Sequence, residues 1–131
     1  MSYQVNPVEF ARVTALSPSA RMSYFIGKVA DWEEVWSTAK EHGWSLMATD
    51  NGEEVFPLWP ANAFASAYCV NDWSDHVPRS IALDEFLSKW LPGMHSESRR
   101  IAIFPISENK GIVVTADELK AFLTEALEVY E

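Results

Sequence analysis

The closing stretch of the chain constrains its fold more than any other part. Thr115 with Glu118 forms a capping box, and Leu119, Phe122, Leu123, Ala126, Leu127 and Tyr130 then recur at helical spacing as one buried face. Directly upstream, "RIAIFPI" and "GIVVT" are apolar β-branched runs joined by the polar "SENK", which reads as a hairpin or as two strands side by side. Strands in hairpins with helices set between and after them point to an α+β fold, helices packed mainly on one face of a mostly antiparallel sheet.

The rest of the chain adds elements of both kinds. Asn6 before Pro7 marks a helix start, with Val8, Phe10, Ala11 and Ala15 facing inward to about Leu16. Ser17 or Ser19 caps a second helix whose Met22, Phe25, Ile26 and Val29 share a face. "DWEEVWSTAKEHGW" is mixed: Asp31 with Glu34 resembles a capping box, while Val35 to Thr38 are β-type residues. The reading favours a strand over about 34–38 and another over 44–49. "DNG" then signals a type I′ hairpin turn, and Glu54 to Trp59 return as the partner strand. Pro60 opens an alanine-rich helix, "VNDWSDHVP" is a polar loop, Arg79 to Ala82 is a short strand, and "LDEFLSKWL" is an amphipathic helix stopped by Pro92-Gly93. This makes about five or six strands in one sheet, and no linker or repeat divides residues 1–131, so a single domain is expected.

Charge and cysteine content exclude several function classes. Ten Lys plus Arg against nineteen Asp plus Glu give a net charge of −9, which repels nucleic acid and anionic membranes over most of the surface. The opening "MSYQVNPVEF" shows no basic n-region followed by an apolar run, and no window approaches roughly 20 apolar residues, so a cytoplasmic location is expected. The single Cys69 can form no internal disulfide, and near a helix C-terminus it is a poor nucleophile. Walker-type, G-x-S-x-G, G-x-G-x-x-G and H-E-x-x-H patterns are all missing, so no cofactor and no catalytic residue is expected.

A few residues could still carry chemistry. His42, His76 and His95 lie in turns or loops, and only His76 has carboxylates beside it, Asp72 and Asp75, as for a metal or an acid/base pair. A loop of this composition is more often simply solvated. Arg99-Arg100 could hold an anion bidentately, although two arginines at a strand edge more often keep that edge soluble. Of the six tryptophans, Trp59 and Trp73 are the candidates for a binding face, against the commoner role of core filler. In "VFPLWP", Pro57 lacks a ladder donor, so its strand should lie at an edge or be disrupted there, and Trp59 at the strand-to-helix corner should anchor the helix to the sheet.

"VFPLWP", the alanine-rich helix, "IALDEFLSKWLPGM", "IAIFP" and the closing capped helix, in that order, resemble the bacterial family known as domain of unknown function 2750. The likeness runs from about Phe25 to Leu127 and rests on Pro57, Leu58, Trp59, Pro60, Phe86, Leu87, Trp90, Leu91, Pro92 and Gly93. The resemblance implies a small cytosolic α+β protein and no established activity.

Three functions are therefore compatible with the sequence. The first is a non-enzymatic binding or protein-interaction domain, with a protein partner or a second copy of the chain, whose surface joins the strand Glu54 to Trp59 to the loop Asp72 to Pro78 and includes Trp59, Trp73, His76, Arg99 and Arg100. The second is an acid/base or metal-dependent enzyme built on Asp72, Asp75 and His76. The third is an acidic, immunity-like inhibitor of a basic partner.

Overall fold

The computed structural model describes residues 2–41, 43–107 and 109–129. Helices α1 (Pro7–Thr14) and α2 (Pro18–Trp32) begin it, each with proline in the first turn and a side-chain cap, Asn6 Oδ1 accepting from the Glu9 N–H at 2.8 Å and Ser17 Oγ from the Ala20 N–H at 3.3 Å. Phe25 and Val29 are buried as expected. In α1 the buried residue is Val13 and not Val8, which is 80% exposed.

Among the described residues seven strands follow, in two sheets. β1 (Glu34–Lys40) lies between β2 (Gly43–Trp44) and β5 (Val77–Ala82), antiparallel to both. The second sheet runs β3 (Met47–Ala48), β4 (Glu54–Leu58), β6 (Ile101–Ile103), β7 (Ile112–Val114), with β4 and β6 its one parallel pair. The fold is α+β and mostly antiparallel, but one sheet of five or six strands is not what forms.

Pro57 is the reason for the split. β1 and β4 meet at a single antiparallel bridge, Trp36 N–H to Trp59 O at 2.9 Å and Trp59 N–H to Trp36 O at 2.8 Å. Two residues further along, the ladder would next need the N–H of residue 57 to meet the Thr38 carbonyl. Proline has no N–H to give. The Thr38 carbonyl accepts from Ser45 N–H at 2.9 Å, and the Pro57 carbonyl accepts from the buried Ser37 hydroxyl at 2.7 Å. The strand is thus interrupted on the β1 side only; on the other side it pairs with β6 through Phe56 to Leu58.

The helices cover one face. Phe56, Leu58, Ile101 and Ile103 meet Phe25, Phe86, Leu91, Leu119 and Leu123 in the main core, and α6 (Ala116–Glu128) packs across α2 with its capping box formed, although Phe122 is 39% exposed. The opposite face carries a smaller cluster of Met47, Val55 and Ala102, against which Trp73 packs. At the outer edge of β5, Pro78 stands where an N–H would face solvent, an arrangement that discourages edge-to-edge pairing.

Three local expectations need correction. The turn at Asp50 to Gly52 places only Gly52 at positive φ, 87°, so the left-handed conformation falls on glycine alone and the type I′ turn is not made. Helix α3 (Asn62–Tyr68) begins two residues after Pro60, with Ala61 as its N-cap. And Pro92-Gly93 does not stop a helix: α4 (Leu83–Glu85) runs into a π-helical turn at Phe86–Trp90 and then α5 (Leu91–Ser96), the Leu91 N–H reaching back five residues to the Phe86 carbonyl. The widened turn accommodates the proline at the start of a new α segment, where its missing N–H costs least.

Candidate functional site

The tryptophan of the strand-to-helix corner is sealed in. Trp59 has no exposed surface, and its indole N–H donates to the Pro105 carbonyl at 2.8 Å. It anchors the corner to the loop after β6 and presents nothing to a partner. That loop is held from the other side by buried Arg21, whose Nε donates to the Phe104 carbonyl at 3.2 Å and whose Nη2 donates to Asn109 Oδ1 at 2.8 Å. Its exit requires Gly111, since a Cβ there would lie 2.1 Å from the Ile103 carbonyl oxygen.

Trp73 and His76 are brought together, on the lesser face of the sheet. Their rings stack with centroids 4.0 Å apart, Trp73 meets Tyr68 edge-on at 5.3 Å, and Tyr68 reaches Trp59 at 5.3 Å. The strand end and the loop Asp72 to Pro78 are therefore neighbours, but through the interior. His76 is buried and its Nδ1 shares a hydrogen bond with Ser45 Oγ; its Nε2 stands 3.6 Å from Asp75 Oδ1. Burial pushes the imidazole pKa down, against the pull of Asp75, and nearby Lys40 adds to the lowering. Asp75 is itself held low by Lys40, 3.3 Å away, while Asp72 is exposed.

Serine, histidine and aspartate in a row resemble a nucleophilic relay, yet Ser45 is 3% exposed and Trp73 covers the imidazole, so a substrate has no approach. No group of three or more His, Cys, Asp or Glu is placed to hold a metal among the described residues. Cys69 is half-buried, its thiol pKa raised by burial, with Sγ against the Ala65 carbonyl. His95 pairs with Asp117 on the surface at 3.2 Å, and His42 lies outside the described residues.

Arg99 and Arg100, adjacent in sequence, part company. Arg100 is neutralised by a two-point contact with Glu53. Arg99 donates through Nη1 to the Glu54 carbonyl at 3.1 Å and pairs with no carboxylate among the described residues. It looks into a groove of about 380 Å³ that the sequence did not announce. Trp44 from β2, Phe56 from β4 and Trp90 from the π turn form its walls: Trp44 and Trp90 meet edge to face at 4.8 Å, and Phe56 lies 5.5 Å from Trp90. Lys89, Arg99 and Glu97 also line it, and the Arg79 guanidinium caps Trp44 at 4.7 Å.

The groove lies at the margin of the helix-covered face. Strand alternation turns Trp44 towards that face and Ser45 towards His76 on the other. Trp44 and Trp90 are half-buried, and among the described residues neither indole N–H has an acceptor, whereas those of Trp36 and Trp59 do. A second cleft, about 230 Å³ between Phe10, Phe64, Tyr68 and Phe104, has no charged side chain in its lining. Among the described residues, neither Trp59 nor His76 lines this cleft or the groove beside Arg99.

Sequence reasoning singled out Arg99 and missed Trp44 and Trp90 as a pair. Trp44 follows a glycine in a two-residue strand, too short for alternation to be read. Trp90 sits at the interior spacing of an α-helix, and only the π turn brings it to the margin.

A family model described as protein of unknown function (DUF2750) matches residues 22–123. No curated protein and no solved structure matches the chain.

Proposed function

This chain belongs to the DUF2750 family, and we propose that it serves there as a binding domain and not as an enzyme, its contact surface being the groove of Trp44, Phe56 and Trp90. The observation that carries this reading is convergence: aromatic rings from three distant segments meet at a surface opening, two of them with indole N–H groups that have no acceptor among the described residues. Half-buried Trp flanked by cations is the composition of interface hot spots, and a cleft of about 380 Å³ is of ligand-binding size. A π turn inside a helix is likewise frequent at functional sites. The enzyme reading loses support because its best base, His76, is covered. The interaction surface moves accordingly, from the strand end and the loop Asp72 to Pro78 to the opposite face of the sheet. Arg99 is common to both.

The test is a titration of ¹⁵N-labelled protein with indole, phenylacetate and N-acetylphenylalanine amide. The indole N–H signals of Trp44 and Trp90 should move together while that of Trp59 stays still, and Trp90→Ala should abolish the response. Shifts confined to Trp73 and His76, or none at all, would overturn the assignment.

A further inference from the structure

We infer that the partner is an acidic, extended protein segment, with a large apolar side chain seated between Trp44 and Trp90 and carboxylates on either side meeting Lys89 and Arg99. The inference rests on the binding reading above and adds the chemistry of the partner. Its first support is charge. In a chain of net charge −9, Lys40, Arg100 and Lys110 each find a carboxylate within 3.4 Å, at Asp75, Glu53 and Asp50. Lys89 and Arg99 have none that close among the described residues, which is also true of Arg79 and Lys120, and Arg99 acts on Glu53 only from further off; Lys89 and Arg99 are the two that line one groove. Among the described residues Glu97 is the one carboxylate lining this groove, against Lys89 and Arg99, so that lining carries a net positive charge on a negative molecule. Such a patch repels basic segments and favours acidic ones at short range, while the remaining surface opposes non-specific approach of anions.

The second support is shape. Arg99 and Met94 line this groove and also a neighbouring cleft of about 350 Å³ that reaches Arg100 and Ser98 and, at its far side, Asp117 paired with His95. The two hollows meet at the Arg99 guanidinium, whose Nη1 is pinned to the Glu54 carbonyl and whose other donors remain. A path with an aromatic pocket at one end and a fixed guanidinium as its saddle suits an extended chain better than a compact molecule. Gly93 opens the helix side further, since a Cβ added there would meet nothing within 4 Å.

The experiment uses three short synthetic peptides, each with a central phenylalanine flanked on both sides by glutamate, by glutamine or by lysine. Binding is followed by NMR titration at low and high salt against the wild type, Trp90→Ala and the double variant Lys89→Glu/Arg99→Glu. The glutamate peptide should bind about tenfold more tightly than the lysine peptide, as two rim charge pairs would give, and salt should shrink the difference. The double variant should reverse the order, with the Trp59 indole signal unmoved as a sign of intact folding. Equal affinities, or a preference for lysine, with binding still lost in Trp90→Ala, would overturn the acidic partner and leave the groove as a binding site. Binding insensitive to Trp90→Ala, or none for any peptide, would overturn the groove reading itself.

Discussion

Replacing Trp59 by phenylalanine tests whether the corner is a structural joint. The substitution keeps an aromatic ring in a site with no exposed surface but deletes the donor to the Pro105 carbonyl, a 2.8 Å bond. A buried carbonyl left unsatisfied costs about 1–3 kcal/mol. The smaller ring leaves a gap beside Tyr68, whose centroid is 5.3 Å away, and the lost contacts add about 1 kcal/mol. A total near 2–4 kcal/mol corresponds to roughly a 10 °C drop in Tm for a chain of this length. Urea unfolding followed by circular dichroism, with Trp32→Phe as a partly exposed control, measures it, and an unchanged m-value shows that the same transition is compared. A loss under about 0.5 kcal/mol, no larger than expected of a surface substitution, would refute the argument that this indole bond holds the loop after β6.

Two further outcomes follow from the polar groups around Pro57 and His76. Thr38 Oγ1 is buried without a hydrogen-bond partner among the described residues, so Thr38→Val should raise stability by about 1 kcal/mol in the same urea assay; a loss of stability would mean that the hydroxyl is satisfied after all. His76 titrates below its ordinary value because it is buried, so the unfolded chain takes up its proton first as pH falls. The stability it contributes is complete above the unfolded value of about 6.5 and declines as pH drops through that value towards the lowered folded one. The urea midpoint should therefore fall between pH 7.5 and pH 5.5, more steeply in wild type than in His76→Gln; parallel slopes would contradict the burial argument.

Elements whose signals are local were legible in the sequence. The caps at Asn6, Ser17 and Thr115, the apolar strands around Ile101 and Val114 and the hairpin at Gly52 all stand where the sequence placed them, because each depends on a few neighbouring residues. Pairings decided at a distance were not legible. The parallel contact of β4 with β6 joins residues more than 40 positions apart, and nothing in "IAIFPI" specifies it. The π turn was also hidden, since Phe86, Trp90 and Leu91 fit an α-helical face as well as the widened one. Of the candidate site residues, Arg99 lies in the proposed groove, whereas Trp73 and His76 stack on each other and Trp59 packs on Tyr68, which lies between it and Trp73.

The break at Pro57 connects the joint to the groove. Had residue 57 carried an N–H, the Thr38 carbonyl would have been its acceptor and β4 could have continued along β1. With that acceptor free, Ser45 takes it at 2.9 Å, and the chain between β1 and β4 is drawn into the gap. There it pairs first with β1 at Ala39 and Trp44, then with β4 at Met47 and Val55. Fixing Ser45 with its side chain towards His76 obliges Trp44, one residue earlier, to point to the other face, where it meets Phe56 and Trp90. The same geometry leaves Thr38 Oγ1 without a partner among the described residues, a local cost set beside the gain of an aromatic wall. The proline of "VFPLWP" thus lies outside the proposed groove, but it determines which side chains wall it.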